Sequence, residues 1–362
     1  MLSCAPLGFP AKDPNYNMAL HNRIEGKVLK ERLLLTPTVN RVTLSFYKYH
    51  QIESPQGFRD ELYKRFDSLD VLGRIYVAHE GINAQISVPH QKFETFKTEL
   101  FSISFLNGIR LNVAVDDNGK SFFKLKILVR KKIVADGLDD SAFDVTDSGM
   151  HLDAQEFNNL ADDPNTIIID MRNHYESEVG HFKNAICPDV DTFREELHVA
   201  ENLMNKHKDK NLLMYCTGGI RCEKASAWMK YKGFKNVFQL NGGIIEYARQ
   251  VKEQGLENKF IGKNFVFDER LGERITNDII SVCHQCEKPC DDHTNCKNDG
   301  CHLLFIQCED CVKKFNNCCS QECKDIIALP VEAQKEIRKG INKGRQVFKK
   351  GRSQNLKFKV QD

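Results

Sequence analysis

The stretch Met214-Tyr215-Cys216-Thr217-Gly218-Gly219-Ile220-Arg221-Cys222-Glu223-Lys224 sets the tightest limit on how this chain can fold. Residues 212–215 form an uninterrupted apolar run, the signature of a strand buried on both faces of a parallel sheet. Gly218 and Gly219 then turn the chain into a segment, 222–232, that reads as a helix. A strand turning through paired glycines into a helix places Cys216 in a cradle of backbone N–H groups at a positive helix terminus. A thiolate is stabilised there, so the cysteine is built to react. A buried structural thiol would need neither the paired glycines nor Arg221 at the end of the loop.

The flanking pattern makes this an α/β unit over residues 145–257. Further apolar strands at 166–170 and 237–240 alternate with helical segments at 154–160, 191–206 and 222–232, which predicts a doubly wound domain. Reactive groups in such sheets emerge at the carboxyl ends of strands, where both Asp170 and Cys216 fall. Ahead of it, residues 41–136 read β-α-β-β-α-β with an added strand, a ferredoxin-like (acylphosphatase-like) sandwich, and residues 1–40 form an extension with little periodic pattern. At 362 residues the chain has room for two or three domains. No run approaches the ~20 apolar residues of a membrane span, and no basic n-region with a long apolar stretch opens the sequence, so a cytoplasmic protein with reduced thiols is expected. The net charge of +2 advertises no global nucleic-acid field, so basic surface must be local. It gathers in the tail 331–362, where ten Lys/Arg face Glu332, Glu336 and Asp362.

Four matches in order show that the middle unit resembles the rhodanese family: Asp170-Met171-Arg172-Asn173, Gly180-His181-Phe182-Lys183-Asn184-Ala185, the Cys216 loop, and Leu240-Asn241-Gly242-Gly243. Asn184 stands where the family has glycine, and asparagine tolerates a left-handed backbone. Four residues separate Cys216 from Arg221, where cysteine phosphatases have five, and the smaller ring suits a persulfide sulfur better than a phosphate. The resemblance implies that Thr217, Gly218, Gly219 and Ile220 form the substrate loop, that Arg221 holds loop carbonyls or orients an anion, and that Asp170 and Arg172 pair beneath the loop or reach substrate. Cys222 either resolves an oxidised or persulfidated Cys216 or is a small buried helix residue. His151-Leu152-Asp153 looks like half of a non-haem iron triad, but no distal histidine is assignable.

Ten of the fourteen cysteines crowd into residues 283–323. Cys283-His284-Gln285-Cys286 and Cys308-Glu309-Asp310-Cys311 are C-x2-C knuckles at a spacing close to zinc ribbons. Cys290, Cys296, Cys301, Cys318, Cys319 and Cys323, with His302, are enough for a second site. The module at 275–328 is therefore expected to hold two structural zinc ions, with the ligand pairing open and iron–sulfur as the competitor.

The whole order, with Phe46-Tyr47-Lys48-Tyr49 and His79-Glu80-Gly81-Ile82-Asn83-Ala84 in the first domain, resembles the tRNA uridine(34) hydroxylase family. That resemblance implies oxygen-dependent hydroxylation of the wobble uridine at C5, with dioxygen as co-substrate and the tRNA anticodon loop as partner. The alternative is a sulfurtransferase carrying sulfane sulfur on Cys216. A single-stranded loop base can be splayed into a pocket at little cost, and the basic tail, helical if it forms over 331–351, would contact phosphates. No Gly-x-Gly-x-x-Gly flavin or nicotinamide fingerprint is present, and the oligomeric state is not legible. Cys216 would either add to C6 of uracil or carry a reactive sulfur species.

Overall fold

The computed structural model describes residues 40–339 apart from 118, 140 and 141, together with positions 24, 28, 29 and 31. The extension over 1–40 and the tail past 339 otherwise lie outside the described residues. The first unit runs β1 (Arg41–Tyr49), α1 (Pro55–Ser68), β2 (Leu72–Ala78), β3 (Gly81–Pro89), α2 (Phe93–Phe101), β4 (Asn112–Val113) and β5 (Leu125–Val129). Its sheet order is β4-β1-β3-β2-β5, with β5 parallel to β2 as the added strand. Alternation sorts the two faces: Leu44, Phe46, Ile75, Val77, Ala84 and Ile86 are buried with Leu62, Phe66 and Phe96 from the two helices. The opposite face carries Thr43, Ser45, Tyr47, Asn83 and Gln85 and looks toward the middle unit.

Two expected strands are shorter than the apolar pattern predicts. The one expected over 110–115 is paired only at Asn112–Val113, and the one over 122–129 starts at Leu125. Ser121 and Phe122 are instead buried where the chain curls over the sheet, with Ser121 Oγ 2.6 Å from Thr43 Oγ1.

The middle unit contains β6 (Met150–Leu152), α3 (Ala154–Ala161), β7 (Thr166–Asp170), α4 (His174–Ser177), β8 (Gly180–Phe182), α5 (Phe193–Met204), β9 (Asn211–Tyr215), α6 (Ile220–Tyr231), β10 (Asn236–Leu240) and α7 (Gly243–Gln254). β6, β10, β9 and β7 form a parallel sheet in that order. Asp153 caps α3, accepting from Glu156 N–H at 2.9 Å, and His151 Nε2 meets Glu223 at 2.9 Å, so the half-triad is used as a helix cap and a side-chain pair. Asn184 takes φ +62°, the left-handed backbone that asparagine tolerates. Phe157, Phe182, Tyr247 and Phe260 cluster behind the sheet with Phe182 central, edge-to-face with Tyr247 and Phe260 and tilted against Phe157.

The chain then returns as β11 (Phe260–Asn264), which pairs antiparallel with β8, and β12 (Glu273–Arg274) extends that ribbon. The cysteine-rich module follows with β13 (His293–Asn295), β14 (Leu304–Ile306), α8 (Glu309–Phe315), α9 (Gln321–Ala328) and α10 (Val331–Arg338). The tail helix ends at Arg338, where Lys339 turns to an extended backbone, short of the helix expected over 331–351; the residues past 339 lie outside the described ones. Cys283, Leu304, Ile306 and Phe315 pack against Tyr175, Val179 and Phe265, so the module rests on the α4–β8 segment. No helix among the described residues is long and apolar enough to cross a membrane.

Candidate active site at the strand–helix loop

Cys216 directly follows β9 and α6 begins at Ile220, with Gly219 at φ +98° making the turn. Any Cβ at Gly219 would stand 2.8 Å from the Tyr47 hydroxyl. Gly219 N–H donates to Cys216 Sγ at 3.2 Å. The Gly242-Gly243 turn closes the loop from below: Ile244 and Ile245 N–H donate to the carbonyls of Cys216 and Thr217 at 3.0 and 3.3 Å. A Cβ at Gly243, φ +68°, would lie 2.5 Å from the Cys216 carbonyl oxygen, so only glycine permits this approach.

Burial alone would push the Cys216 thiol up. The Cys222 thiol, the Arg221 guanidinium and the backbone N–H groups of both residues outweigh it and bring Cys216 down to about 6, so it is mostly thiolate at neutral pH. Cys222 moves the other way, raised by its own burial and by the neighbouring Cys216 charge. It stays protonated and serves as the donor that stabilises its neighbour.

Of the two roles expected for Arg221, holding the loop carbonyls or orienting an anionic group, the first is not what its hydrogen bonds do. Its two terminal nitrogens donate to Glu176 Oε1 and Oε2 at 2.6 and 2.8 Å, and one also donates to Thr217 Oγ1 at 3.2 Å. Glu176 is fully buried, comes from the four-residue helix α4 and also accepts from Asn173 N–H at 3.1 Å. This bidentate pair fixes the guanidinium near the thiolate and pre-organises the loop. Glu176 went unread in the sequence because α4 is too short to show a period; its one signal was an acid three residues after Asn173 in the Asp170–Arg172 segment.

Asp170 and Arg172 lie deeper. Arg172 donates to Asp170 Oδ1 and Oδ2 and to the Gly180 carbonyl, and Tyr215 Oη donates to Asp170 Oδ2 at 2.7 Å. Both side chains are buried, and neither lines the cavity above Cys216.

That cavity holds about 350 Å³, enough for a small planar ring, and is walled by the first unit, the middle unit and the segment that runs from β11 into β12. The loop supplies Cys216, Thr217, Gly218, Ile220 and Arg221; the first sheet supplies Ser45, Tyr47, Gln85 and Asn112; Phe267, Arg270 and Glu273 close the far side. The first domain also braces the loop. Asn112 Nδ2 donates to the Gly218 carbonyl at 3.2 Å, Tyr47 Oη to Glu223 at 3.0 Å and Tyr49 Oη to the Ile220 carbonyl at 3.4 Å. Lys224, wholly buried in α6, is gripped by Glu80 and Asp136, each at 2.6 Å. The aromatic set divides as strand alternation requires: Phe46 is in the core, while Tyr47 and Tyr49 meet the loop. Glu273 is raised to about 7 by burial, against the opposing pull of Arg270.

The cysteine-rich module gathers two separate quartets, Cys283-Cys286-Cys308-Cys311 and Cys296-Cys301-Cys319-Cys323, each with all sulfurs within 4.8 Å of one another. Cys290 and Cys318 belong to neither, although both are buried nearby. The quartets interleave along the chain. Sulfur separations of 3.5, 3.6 and 3.7 Å approach the ~3.8 Å edge of a tetrahedron with Zn–S near 2.3 Å, so the donor set fits a tetrathiolate ion.

Residues 41–133 match the model of the UPF0176 acylphosphatase like domain, residues 153–250 that of the rhodanese-like domain and residues 261–324 that of the rhodanase C-terminal region. A tRNA uridine(34) hydroxylase of Enterobacter sp. (strain 638) is 58% identical over 345 residues, spanning 95% of this chain and 99% of that protein. A tRNA uridine(34) hydroxylase of Salmonella heidelberg (strain SL476) is 56% identical over 345 residues, 95% of this chain and 98% of that protein. Likeness at this level, running almost end to end in both partners, places the chain in the tRNA uridine(34) hydroxylase family.

Proposed function

We propose that this protein hydroxylates the wobble uridine of tRNA, position 34, at C5 to give 5-hydroxyuridine, with Cys216 as the reacting nucleophile. The carrying observation is the near-complete likeness to the tRNA uridine(34) hydroxylases, which favours hydroxylation over sulfur transfer. The geometry supports a chemistry for it. The Cys216 thiolate adds to C6 of the uracil ring, and the displaced π electrons make C5 nucleophilic. C5 takes one oxygen atom from dioxygen; loss of the C5 proton then expels the thiolate and restores the C5–C6 double bond. The second oxygen atom leaves as water after uptake of two electrons and two protons from an external reductant. Cys222 holds the thiolate between turnovers, Arg221 pinned by Glu176 sets the local field, and Glu273 on the cavity wall is placed in the pKa range of a proton acceptor.

The two cysteine quartets hold structural zinc ions, closed tetrathiolate sites that supply folding energy and no step of the reaction. The partner is the anticodon loop of tRNA, read in the cytoplasm where such thiols stay reduced. Mass spectrometry of tRNA nucleosides from a strain lacking this protein tests the reading: 5-hydroxyuridine and its derivatives should vanish. Loss of a thiolated nucleoside with 5-hydroxyuridine intact would transfer the case to the sulfurtransferase.

A further inference from the structure

A single cross-strand row on the first domain runs from the reactive loop to a cationic edge. Ser45 lies opposite Asn112 on β4 and Gln85 on β3; Gln85 lies opposite Arg74 on β2; Arg74 lies opposite Lys126 on β5. The inner end, Asn112, Ser45 and Gln85, lines the cavity over Cys216. Arg74 and Lys126 at the outer end are exposed while Ile75, Leu125 and Ile127 beside them are buried, and among the described residues neither cation has an ion-pair partner. Two strand spacings separate Ser45 from Arg74, about 10 Å. That is the reach of an adjoining nucleotide, not of a distant tRNA arm.

The cations stand over a second pocket of about 510 Å³, which shares Phe122, Phe267 and Asp268 with the first. Its wall is aromatic, with Phe123 and Phe265 besides the shared pair, and His293 lies against Phe265 with both ring nitrogens shielded from solvent and without hydrogen-bond partners. Of its acids, Asp268 accepts two hydrogen bonds from the Arg270 guanidinium and one from the Arg270 backbone N–H, and Glu269 is exposed on the rim. Lys124 donates to the Ile24 carbonyl. Paired cations beside aromatic faces, with buried polar groups awaiting partners, are the chemistry that takes a nucleotide's phosphate and base together.

We propose that this second pocket binds the nucleotide next to the modified uridine, with Arg74 and Lys126 on its backbone phosphate and the base against the phenylalanine wall. The site rests on the tRNA reading above and adds to it the path of the RNA across the sheet. It would make substrate recognition depend on the flanking nucleotide, and so on anticodon-loop geometry as well as on uracil.

The experiment uses the full chain and an anticodon stem-loop RNA bearing uridine 34. An Arg74→Ala/Lys126→Ala variant, altering two exposed side chains, should weaken RNA binding and raise KM roughly tenfold with kcat and melting temperature unchanged. Its plot of log K against log salt should flatten by ~0.7, the weight of one single-strand phosphate contact. Replacing one phosphate flanking uridine 34 by a neutral methylphosphonate should weaken binding to the wild type and add little in the variant. Binding is titrated independently of turnover, so failure to form 5-hydroxyuridine would sink the functional reading alone. Wild-type affinity and salt slope in the variant would sink this site alone.

Discussion

The molecule puts cysteine to two opposite uses. In the middle unit one sulfur, stabilised by the neighbouring Cys222 thiol, backbone N–H groups and a cation, is brought down to about 6 beside a cavity. In the C-terminal module eight sulfurs are gathered in two quartets away from that cavity. The difference teaches that reactivity depends on what surrounds a thiolate. Donors that stabilise the charge without bonding to the sulfur leave it free to attack, whereas a tetrahedral metal consumes the lone pairs and returns rigidity. The two uses are mechanically joined. The module packs on Tyr175 and Val179, and His284 Nε2 meets Glu178 at 2.8 Å, on either side of the Glu176 that clamps Arg221.

The largest effect should come from the architectural sulfurs. Cys283→Ser removes one ligand from a site whose loading contributes on the order of 10 kcal/mol to folding. Because the quartets interleave in sequence, both metals should be lost together, so elemental analysis should fall from two zinc ions per chain toward none. Retention of one full equivalent would show that the quartets fold independently. Next is the clamp joining the two regions. Glu176→Gln leaves the buried Arg221 without its countercharge, which should cost roughly 3–5 kcal/mol in chemical denaturation and lower activity with it. An unchanged denaturation midpoint would show that Arg221 finds another partner.

A smaller effect isolates the reactive sulfur. In the wild type, alkylation of Cys216 should rise with pH around a midpoint near 6, since only the thiolate attacks. Cys187 and Cys290, pushed up by burial to about 12 and about 11, should stay silent at neutral pH. Removing the donor in Cys222→Ala takes away a stabiliser of the charged form, so the midpoint should move upward by about one pH unit or more. Peptide mapping by mass spectrometry reads Cys216, Cys187 and Cys290 separately, and a midpoint for Cys216 that stays near 6 in the variant would assign Cys222 a different role. The smallest effect belongs to the brace between domains: Tyr47→Phe deletes the bond to Glu223 and should cost about 0.5–1.5 kcal/mol while leaving the alkylation profile in place.

The sequence exposed the reactive sulfur more clearly than the architectural ones. Cys216 was legible because strand, paired glycines and helix lie contiguously, so the local pattern already contains the geometry. The quartets were not, because ten cysteines at C-x2-C and looser spacings admit many partitions. The β13–β14 hairpin, whose loop carries Cys296 and Cys301, meets Cys319 and Cys323 at the start of α9, and Cys290 and Cys318 are left out. The ferredoxin-like order was readable from alternation, but the ends of β4 and β5 were not, since apolar residues such as Phe122 serve the inter-domain cavity instead of a strand. Glu273 reaches the site from a distant segment, and spacing along the chain carries no record of that approach; Glu176 left only its place three residues after Asn173, on a helix too short to show a period.

The central claim, that one thiolate at the loop does the chemistry on uridine 34, is tested most directly by returning either the wild type or Cys216→Ser to a strain lacking this protein and quantifying tRNA nucleosides by mass spectrometry. The wild type should restore 5-hydroxyuridine and the serine variant should restore essentially none, a loss of roughly 10³-fold or more in rate, at matching protein levels. Equal restoration by the two would contradict the account.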